Sequence, residues 1–282
     1  MNNKTAVVTG TSSGFGLLTT IELARKGFTV LATMRNSSKN ADLLRVAKKY
    51  GVESKITVHE LDVTDEKSIQ TFQSLVIEDF GRVDVLINNA GYAGAGFVEE
   101  ISMEEYRKQF ETNVFGVFAV TKAFLPMMRK QGHGCIITIS SISGKVAFPG
   151  LSPYIASKHA IEGWSESLRL EMQPFGVKVV LIEPGSYKTN IWTTGKQVAV
   201  ESIQSHSPYQ EYMQSIERYI VEGENNFGDP LEVSKKIVEI SVMKNPKMRY
   251  AIGRGVKASI IMKNLLPWRL WEKIIISKLF VK

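Results

Sequence analysis

The sequence predicts an α/β chain: a doubly wound parallel sheet in a single domain, with an insertion acting as a lid and a basic amphipathic tail. Three observations carry that expectation. Short apolar runs alternate with helical patterns, a glycine-rich turn joins the first run to the first helix, and the polar motifs fall at the ends of apolar runs. Alternation with short connections gives parallel strands covered by helices on both faces. In such sheets ligands bind beyond the carboxyl ends of the strands. The expected domain spans residues 1–253, with the lid at 186–228 and the tail at 254–282.

Taken in order, residues 4–9 read as a buried strand that runs into Gly10-Thr11-Ser12-Ser13-Gly14-Phe15-Gly16. A helix follows and stops at Gly27. Strand, glycine turn and helix let backbone N–H groups and a helix N-terminus hold a pyrophosphate. Gly10 permits the tight turn, Gly14 the close approach of phosphate, and Gly16 the packing of helix on strand. The second strand, 28–33, ends at Met34-Arg35. An acid here would bond the ribose hydroxyls of NAD, whereas a guanidinium matches a 2′-phosphate. The expected cofactor is therefore NADP(H), with NAD as the alternative. The third strand, 55–61, ends at Asp62-Val63, which either meets the adenine or caps the helix expected over 65–80. The fourth, 83–88, opens into Asn88-Asn89-Ala90-Gly91, where small residues let a flat ligand pass and paired amides can pin strand ends.

A helical stretch over 102–131 places Asn113 in an apolar run. A buried amide there needs partners, and it either braces a neighbouring strand or holds a proton-relaying water. The fifth strand, 135–140, precedes Ser141, and the helix expected over 152–175 carries Tyr154 and Lys158 four apart, on one face. A phenol, an ammonium and a hydroxyl gathered in this way suit proton transfer to or from an alcohol or carbonyl oxygen. A neighbouring ammonium favours the phenolate. The sixth strand, 177–182, ends in Glu183-Pro184-Gly185-Ser186-Tyr187-Lys188-Thr189. All these strand ends lie on one edge and define a single cleft.

Composition sets the bounds. Hydrophobic residues make up 44% and charged residues 22%, ordinary for a globular chain with a sizeable core. The lone Cys135 excludes an internal disulfide and reads as inert packing. His59, His133, His159 and His206 show no metal-ligand spacing, so no metal is expected. The first residues leave no room for a signal peptide before the first strand, and no apolar stretch is long enough to span a bilayer, so a cytoplasmic chain is expected. Net charge is +7, but residues 254–282 hold seven Lys or Arg against Glu272 alone, which is +6 of it. A nucleic-acid partner loses its support from the body of the chain.

At this point the chain resembles the short-chain dehydrogenase/reductase family, in its single-domain, Rossmann-like subtype. The motifs are Thr9 to Gly16 as Thr-Gly-x-x-x-Gly-x-Gly, Asn88 to Gly91, Asn113, Ser141, Tyr154 with Lys158, and Pro184 to Thr189, over about residues 4–195. Ser141 and Tyr154 are thirteen apart, as the family has them. The resemblance implies Tyr154 as general acid/base and Ser141 as the hydroxyl orienting the substrate oxygen. It implies that Lys158 lowers the Tyr154 pKa and bonds the nicotinamide ribose, that Asn113 holds a relay water, and that Thr189 and the backbone near Gly185 anchor the carboxamide. It also implies hydride transfer between nicotinamide and an alcohol or carbonyl, and a homo-oligomer through the helices bearing Asn113 and Tyr154. A nucleotide-sensing or scaffold protein on the same fold is the alternative, although such proteins usually lose the Tyr or Lys.

Substrate choice is expected in the lid, which carries Trp192, Tyr209, Tyr212, Met213, Tyr219 and Phe227, with Phe148, Tyr187 and 93–96 as further walls. Most of these aromatics are expected to pack the insertion's own helix near 208–222. An apolar lid suggests a lipophilic alcohol, aldehyde or ketone. The tail mixes Trp268, Trp271, Leu and Ile with cations and is divided by Pro267, a pattern that fits an interfacial helix. Packing over the cleft and a subunit contact are the competing readings.

Overall fold

The computed structural model describes residues 4–192 and 195–280. Its centre is a seven-stranded, wholly parallel sheet. In chain order the elements begin with β1 (Thr5–Thr9), α1 (Gly14–Arg25), β2 (Thr29–Met34), α2 (Ala41–Tyr50), β3 (Ile56–Glu60), α3 (Glu66–Asp79) and β4 (Val85–Asn88). Then come β5 (Ala93–Ala95), α4 (Met103–Phe110), α5 (Gly116–Gln131), β6 (Gly134–Ile139), α6 (Ser152–Met172) and β7 (Val177–Pro184). The last elements are β8 (Lys196–Val198), α7 (Gln210–Gly223), α8 (Pro230–Ser241), β9 (Arg249–Ile252), α9 (Val256–Leu265) and α10 (Trp268–Phe280). The sheet order is β3-β2-β1-β4-β6-β7-β9. The seventh strand, β9, lies beyond the six the sequence pattern marked.

Successive strand residues face opposite sides, and the two apolar layers follow from that. Ala6 and Val8 of β1, Val30 and Ala32 of β2, and Ile137 of β6 join Ile21, Leu43 and Ile237 on one side. Val7, Leu31, Leu86 and Ile136 join Phe72, Phe124, Met128 and Leu168 on the other. Both faces are buried, which is why the strands read as unbroken apolar runs.

The helix boundaries follow local chemistry. Asp65 starts α3 by accepting from the Lys67 N–H, and Ser102 with Glu105 closes a capping box on α4. Gly51 ends α2 in the left-handed region. The stretch expected as one helix over 102–131 is interrupted by a π-turn, Glu111–Phe115, that holds Asn113. A π-turn adds a residue to the helical ladder and re-aims the side chains it carries. Among the described residues no helix is long and apolar enough to cross a membrane.

The insertion is tied into the body rather than folded on itself. Its β8 pairs in parallel with β5, Ala93↔Lys196 to Ala95↔Val198. Tyr209 stacks on Phe97 at 4.4 Å between ring centroids, and Tyr212 touches both Phe97 and Phe280 of α10. The expectation that the insertion's aromatics pack their own helix is therefore corrected for Tyr209 and Tyr212. α10 lies against α7, with Trp271 buried. The Trp192 side chain lies outside the described residues.

Candidate active site

The glycine turn is built by close contact. A Cβ on Gly10 would lie 2.8 Å from the Ala90 Cα, and one on Gly16 would lie 2.2 Å from the Gly10 oxygen. Gly10 and Gly14 adopt φ of 70° and 56°, where side chains are strained. Asn89 Nδ2 donates to the Thr9 and Gly10 carbonyls at 2.8 and 2.9 Å. Thr9 Oγ1 accepts from the Asn89 and Ala90 N–H groups, both at 3.0 Å. The ends of β1 and β4 are thus stitched together around the turn. Ser13 enters α1 extended and makes no capping bond, and the first turn of α1 has no acid. Its N–H groups therefore suit an anion. Ser12 and Ser13 are half-buried on the turn, while the Phe15 ring packs edge-on against Tyr187. The half-buried Phe15 thus turns its ring toward the body, with its backbone at the start of α1.

Arg35 is exposed at the end of β2, whereas Met34 is buried in the core. Asp62 is spent locally: Oδ1 accepts from the Thr64 N–H and hydroxyl at 2.9 and 2.7 Å, and its own N–H donates to Ser68 Oγ. Val63 packs on Gly116, where a Cβ would meet Val63 Cγ2 at 2.8 Å. The helix cap is a separate residue, Asp65.

Asn88 Nδ2 donates to Thr121 Oγ1 at 2.8 Å, bracing β4 against α5. Asn113 is buried and braces the neighbouring chain. Its Oδ1 accepts from the Tyr92 N–H at 3.1 Å and its Nδ2 donates to the Tyr92 carbonyl at 2.9 Å. Gly91 leaves the room for this, since a Cβ there would meet Asn113 Oδ1 at 3.1 Å.

Ser141 follows β6 and accepts from the Ser143 N–H at 3.0 Å, leaving its hydroxyl hydrogen to aim elsewhere. Tyr154 and Lys158 sit one turn apart on α6, both buried. Lys158 Nζ donates to the Ile139 carbonyl at 2.7 Å and lies 5.5 Å from the Tyr154 ring centroid. Burial pushes the Tyr154 phenol up to about 12, and a hydrogen bond with Ser141 works the other way. The phenol is thus a proton holder at neutral pH, where the expectation was of an acidified one. Burial lowers Lys158 to about 8, opposed by the charge on Glu162. A buried phenol, a hydroxyl and an ammonium beside an anion-binding turn can give a proton to, or take one from, an oxygen seated among them.

The loop after β7 closes the arrangement. The Gly185 N–H donates to the Ile252 carbonyl at 2.9 Å, fixing the chain just after Pro184, and Thr189 reaches the glycine turn. Its Cβ lies 3.7 Å from where a Gly14 Cβ would be. Tyr187 is corrected from cleft wall to core: it is 1% exposed and its hydroxyl donates to Glu232 Oε2 at 2.9 Å.

Residues that the sequence pattern left unmarked also gather here. Gln109 Oε1 accepts from the Gly94 N–H and its Nε2 donates to the Tyr92 carbonyl. The buried Glu162 and Glu183 and the half-buried Lys145 and Arg249 form a charged cluster behind Lys158. Two signals were available: Glu162 continues the Tyr154–Lys158 spacing by four, and Glu183 is a charge closing an apolar strand. Among the described residues no three His, Cys, Asp or Glu form a metal site. Burial pushes the Cys135 thiol up to about 12, an unreactive state.

Comparison with known proteins agrees with this architecture. The family described as short chain dehydrogenase matches residues 4–198. An uncharacterized oxidoreductase, YusZ, of Bacillus subtilis is 48% identical over 281 residues, covering 99% of this chain and 100% of that one. The 3-ketodihydrosphingosine reductase of Bacteroides thetaiotaomicron is 36% identical, covering 90% and 89%. The NADPH-dependent 3-dehydrocapnine reductase of Ornithobacterium rhinotracheale is 34% identical, covering 95% of each. A crystal structure of a short-chain dehydrogenase from Streptomyces avermitilis superposes with a TM-score of 0.83 at 34% identity, covering 97% of each chain. A parallel sheet, an anion-ready glycine turn and a buried Ser–Tyr–Lys centre on one edge, with matches spanning nearly the whole chain, place this protein in the short-chain dehydrogenase/reductase family of NAD(P)-dependent oxidoreductases.

Proposed function

We propose that this protein is an NADP(H)-dependent reductase of a lipophilic ketone or aldehyde, presented at a membrane surface. The observation that carries the chemistry is the buried Ser141–Tyr154–Lys158 centre beside a glycine turn whose neighbouring strand ends in an exposed Arg35. Bound NADP(H) supplies or accepts the hydride. The residues present fit it: Gly10, Gly14 and Gly16 leave room for a pyrophosphate, with Ser12, Ser13 and the Phe15 backbone around it, and Arg35 suits a 2′-phosphate. Asp62, Val63, Asn89, Ala90 and Gly91 line the route along the strand ends, while Pro184, Gly185 and Thr189 serve the nicotinamide end. Ser141 orients the substrate oxygen, and Tyr154, held as a phenol, gives it the proton as charge develops there. Lys158 holds its charge near that proton, and Asn113, whose Nδ2 donates to Ser157 Oγ at 3.4 Å, ties its π-turn to the helix that carries the centre.

The lipophilic substrate rests on the lid. Phe97, Tyr209 and Tyr212 form an aromatic cluster where the insertion joins the body, and Met213, next to Tyr212 on α7, is buried. Relatives named for 3-ketodihydrosphingosine and 3-dehydrocapnine agree with a lipophilic ketone. The membrane surface rests on α9 and α10, where Leu265 is 77% and Trp268 63% exposed among Lys257, Lys263, Arg269, Lys273 and Lys278. Apolar residues beside cations suit anionic lipid, and the same charge opposes self-association through this face. Phe115 and Leu170, exposed on the α5–α6 side, support a homo-oligomer there instead.

The test is NADPH and NADH oxidation against lipophilic and polar carbonyl compounds, with wild type and Tyr154→Phe side by side. Turnover with NADPH is expected, and Tyr154→Phe loses about a thousandfold in kcat while NADPH binding stays. Tight NADPH binding without turnover on any compound would favour the nucleotide-sensing alternative.

A further inference from the structure

Behind Lys158, α6 carries a third titratable side chain on the same face. Tyr154, Lys158 and Glu162 follow at steps of four, and Glu162 is buried. Its Oε1 accepts from Ser140 Oγ at 2.6 Å, and its Oε2 meets Lys145 Nζ and Arg249 Nε, each at 2.8 Å. Ser140 stands between two working groups: Ile139, whose carbonyl takes the Lys158 ammonium, and Ser141. The chamber is tight, since a Cβ on Gly144 would meet Ser140 Oγ at 2.8 Å and Glu162 Cγ at 2.9 Å.

β7 brings a second buried carboxyl into this chamber. Glu183 is 3% exposed, and its Oε1 has no hydrogen-bond partner among the described residues, with Arg249 Nε 3.4 Å away. The groups facing the pair come from four elements: Lys158 and Glu166 from α6, Lys145 from the loop after β6, Arg249 from β9, and Glu183 itself from β7. Three cations face the two buried carboxyls: Lys145 and Arg249 pair with Glu162 directly, Arg249 is shared with Glu166, and Lys158 acts through its charge alone.

We propose that Glu162 and Glu183 form a proton-sharing pair of positioning residues, which hold Ser141 and Lys158 in place and set the pH range in which the centre works. Two carboxylates in one buried site do not both ionise readily. Burial opposes ionisation of Glu162, but hydrogen bonds from Lys145, Ser140 and Arg249 outweigh it and hold its carboxyl below the usual range. Burial, together with the charge on Glu162, pushes Glu183 up to about 7. The cluster therefore takes up or loses one proton near neutrality. Glu162 in turn supports the charge of Lys158.

The pair contrasts with Asp84 at the opposite edge of the sheet. Asp84 accepts from the Thr5 N–H and from Arg82, and these bonds outweigh burial and keep its pKa low. It supplies a structural control.

The inference rests on Tyr154 and Lys158 being the reaction centre, but its first test needs no turnover. Infrared difference spectra of the full chain, titrated from about pH 5 to 9, follow the C=O stretch of protonated carboxyls. Wild type and Asp84→Asn are expected to lose such a band near neutral pH, and Glu183→Gln to lack it. A band that persists in Glu183→Gln, or no neutral-range band in wild type, overturns the pairing whether or not a substrate is known. Stability follows the same proton. The folded value of Glu183 lies above its unfolded value, so its contribution is present at low pH and is lost as pH rises through about 7. Glu183→Gln should flatten that slope.

With a turned-over carbonyl compound in hand, Glu183→Gln should remove the neutral inflection from the pH profile of kcat/KM, with the KM for NADPH unchanged. Glu162→Gln should lower kcat by about tenfold and move the alkaline limb to lower pH, because Lys158 loses its support, with Glu162→Asp restoring part of the loss. Should Glu162→Gln fail to fold, Glu183→Gln still decides, since the amide copies the protonated carboxyl. Unchanged pH profiles in the folded variants would refute the positioning role and leave the dehydrogenase reading standing.

Discussion

At the carboxyl edge of the sheet backbone packs directly on backbone, whereas in the α9–α10 pair many large side chains lie half in water. The edge is specified by absences: Gly10 and Gly16 leave gaps filled by Ala90, Asn89 and the Gly10 carbonyl itself. The tail is specified by excess. Folding buries Val256 and Trp271, yet leaves Ile261, Leu265, Trp268 and Phe280 exposed between cations. A region whose atoms are committed to one another is built to hold a ligand in one geometry. One that keeps apolar surface uncommitted leaves that surface open to contact from outside the chain.

Four changes sharpen that contrast, from the largest effect to the smallest. Gly16→Ala forces a carbon onto the Gly10 oxygen, and about 3 kcal/mol or more of stability should go, along with NADPH binding. Urea unfolding and fluorescence titration read the two losses. Trp271→Ala empties the one buried ring of the tail and should cost about 3 kcal/mol if α10 is part of the folding unit. A tail that melted separately, before the sheet, would break the comparison. Arg35→Ser should raise the KM for NADPH about tenfold or more while leaving that for NADH nearly unchanged. Equal effects on both would remove the case for the 2′-phosphate. Trp268→Ser with Leu265→Ser should leave stability within about 0.5 kcal/mol, yet abolish flotation with anionic vesicles. Flotation equal to wild type would return these residues to ordinary surface.

Much of the edge was legible because each of its features has a local cause. A glycine needed at positive φ, a helix start and a Tyr–Lys step of four all act over a few residues, so the sequence shows them directly. Asp62 was legible only as a choice between two roles, and the structure puts its carboxylate on Thr64. Tyr187 was misread as a wall because an aromatic beside a cleft looks the same in sequence whichever way it turns. Its direction is set by Glu232 and Phe15, 45 and 172 residues away along the chain. Tyr209 and Tyr212 of the lid were misread for the same reason, since their partners Phe97 and Phe280 lie outside the insertion.

The sequence by itself determined the layered fold, the glycine turn, the Ser141–Tyr154–Lys158 spacing and the charge of the tail. These depend on periodicity, backbone freedom and composition, all of which are properties of neighbours in the chain. Only the tertiary structure decided that Asn113 braces Tyr92, that β8 binds the lid to β5, and that Glu162 and Glu183 approach the same Arg249. Those three depend on which strands lie side by side, and so on contacts between residues from 21 to over a hundred positions apart. The protonation of the centre belongs with them, because burial, which pushes Tyr154 up and Lys158 down, exists only once the whole sheet and its helices have closed around α6.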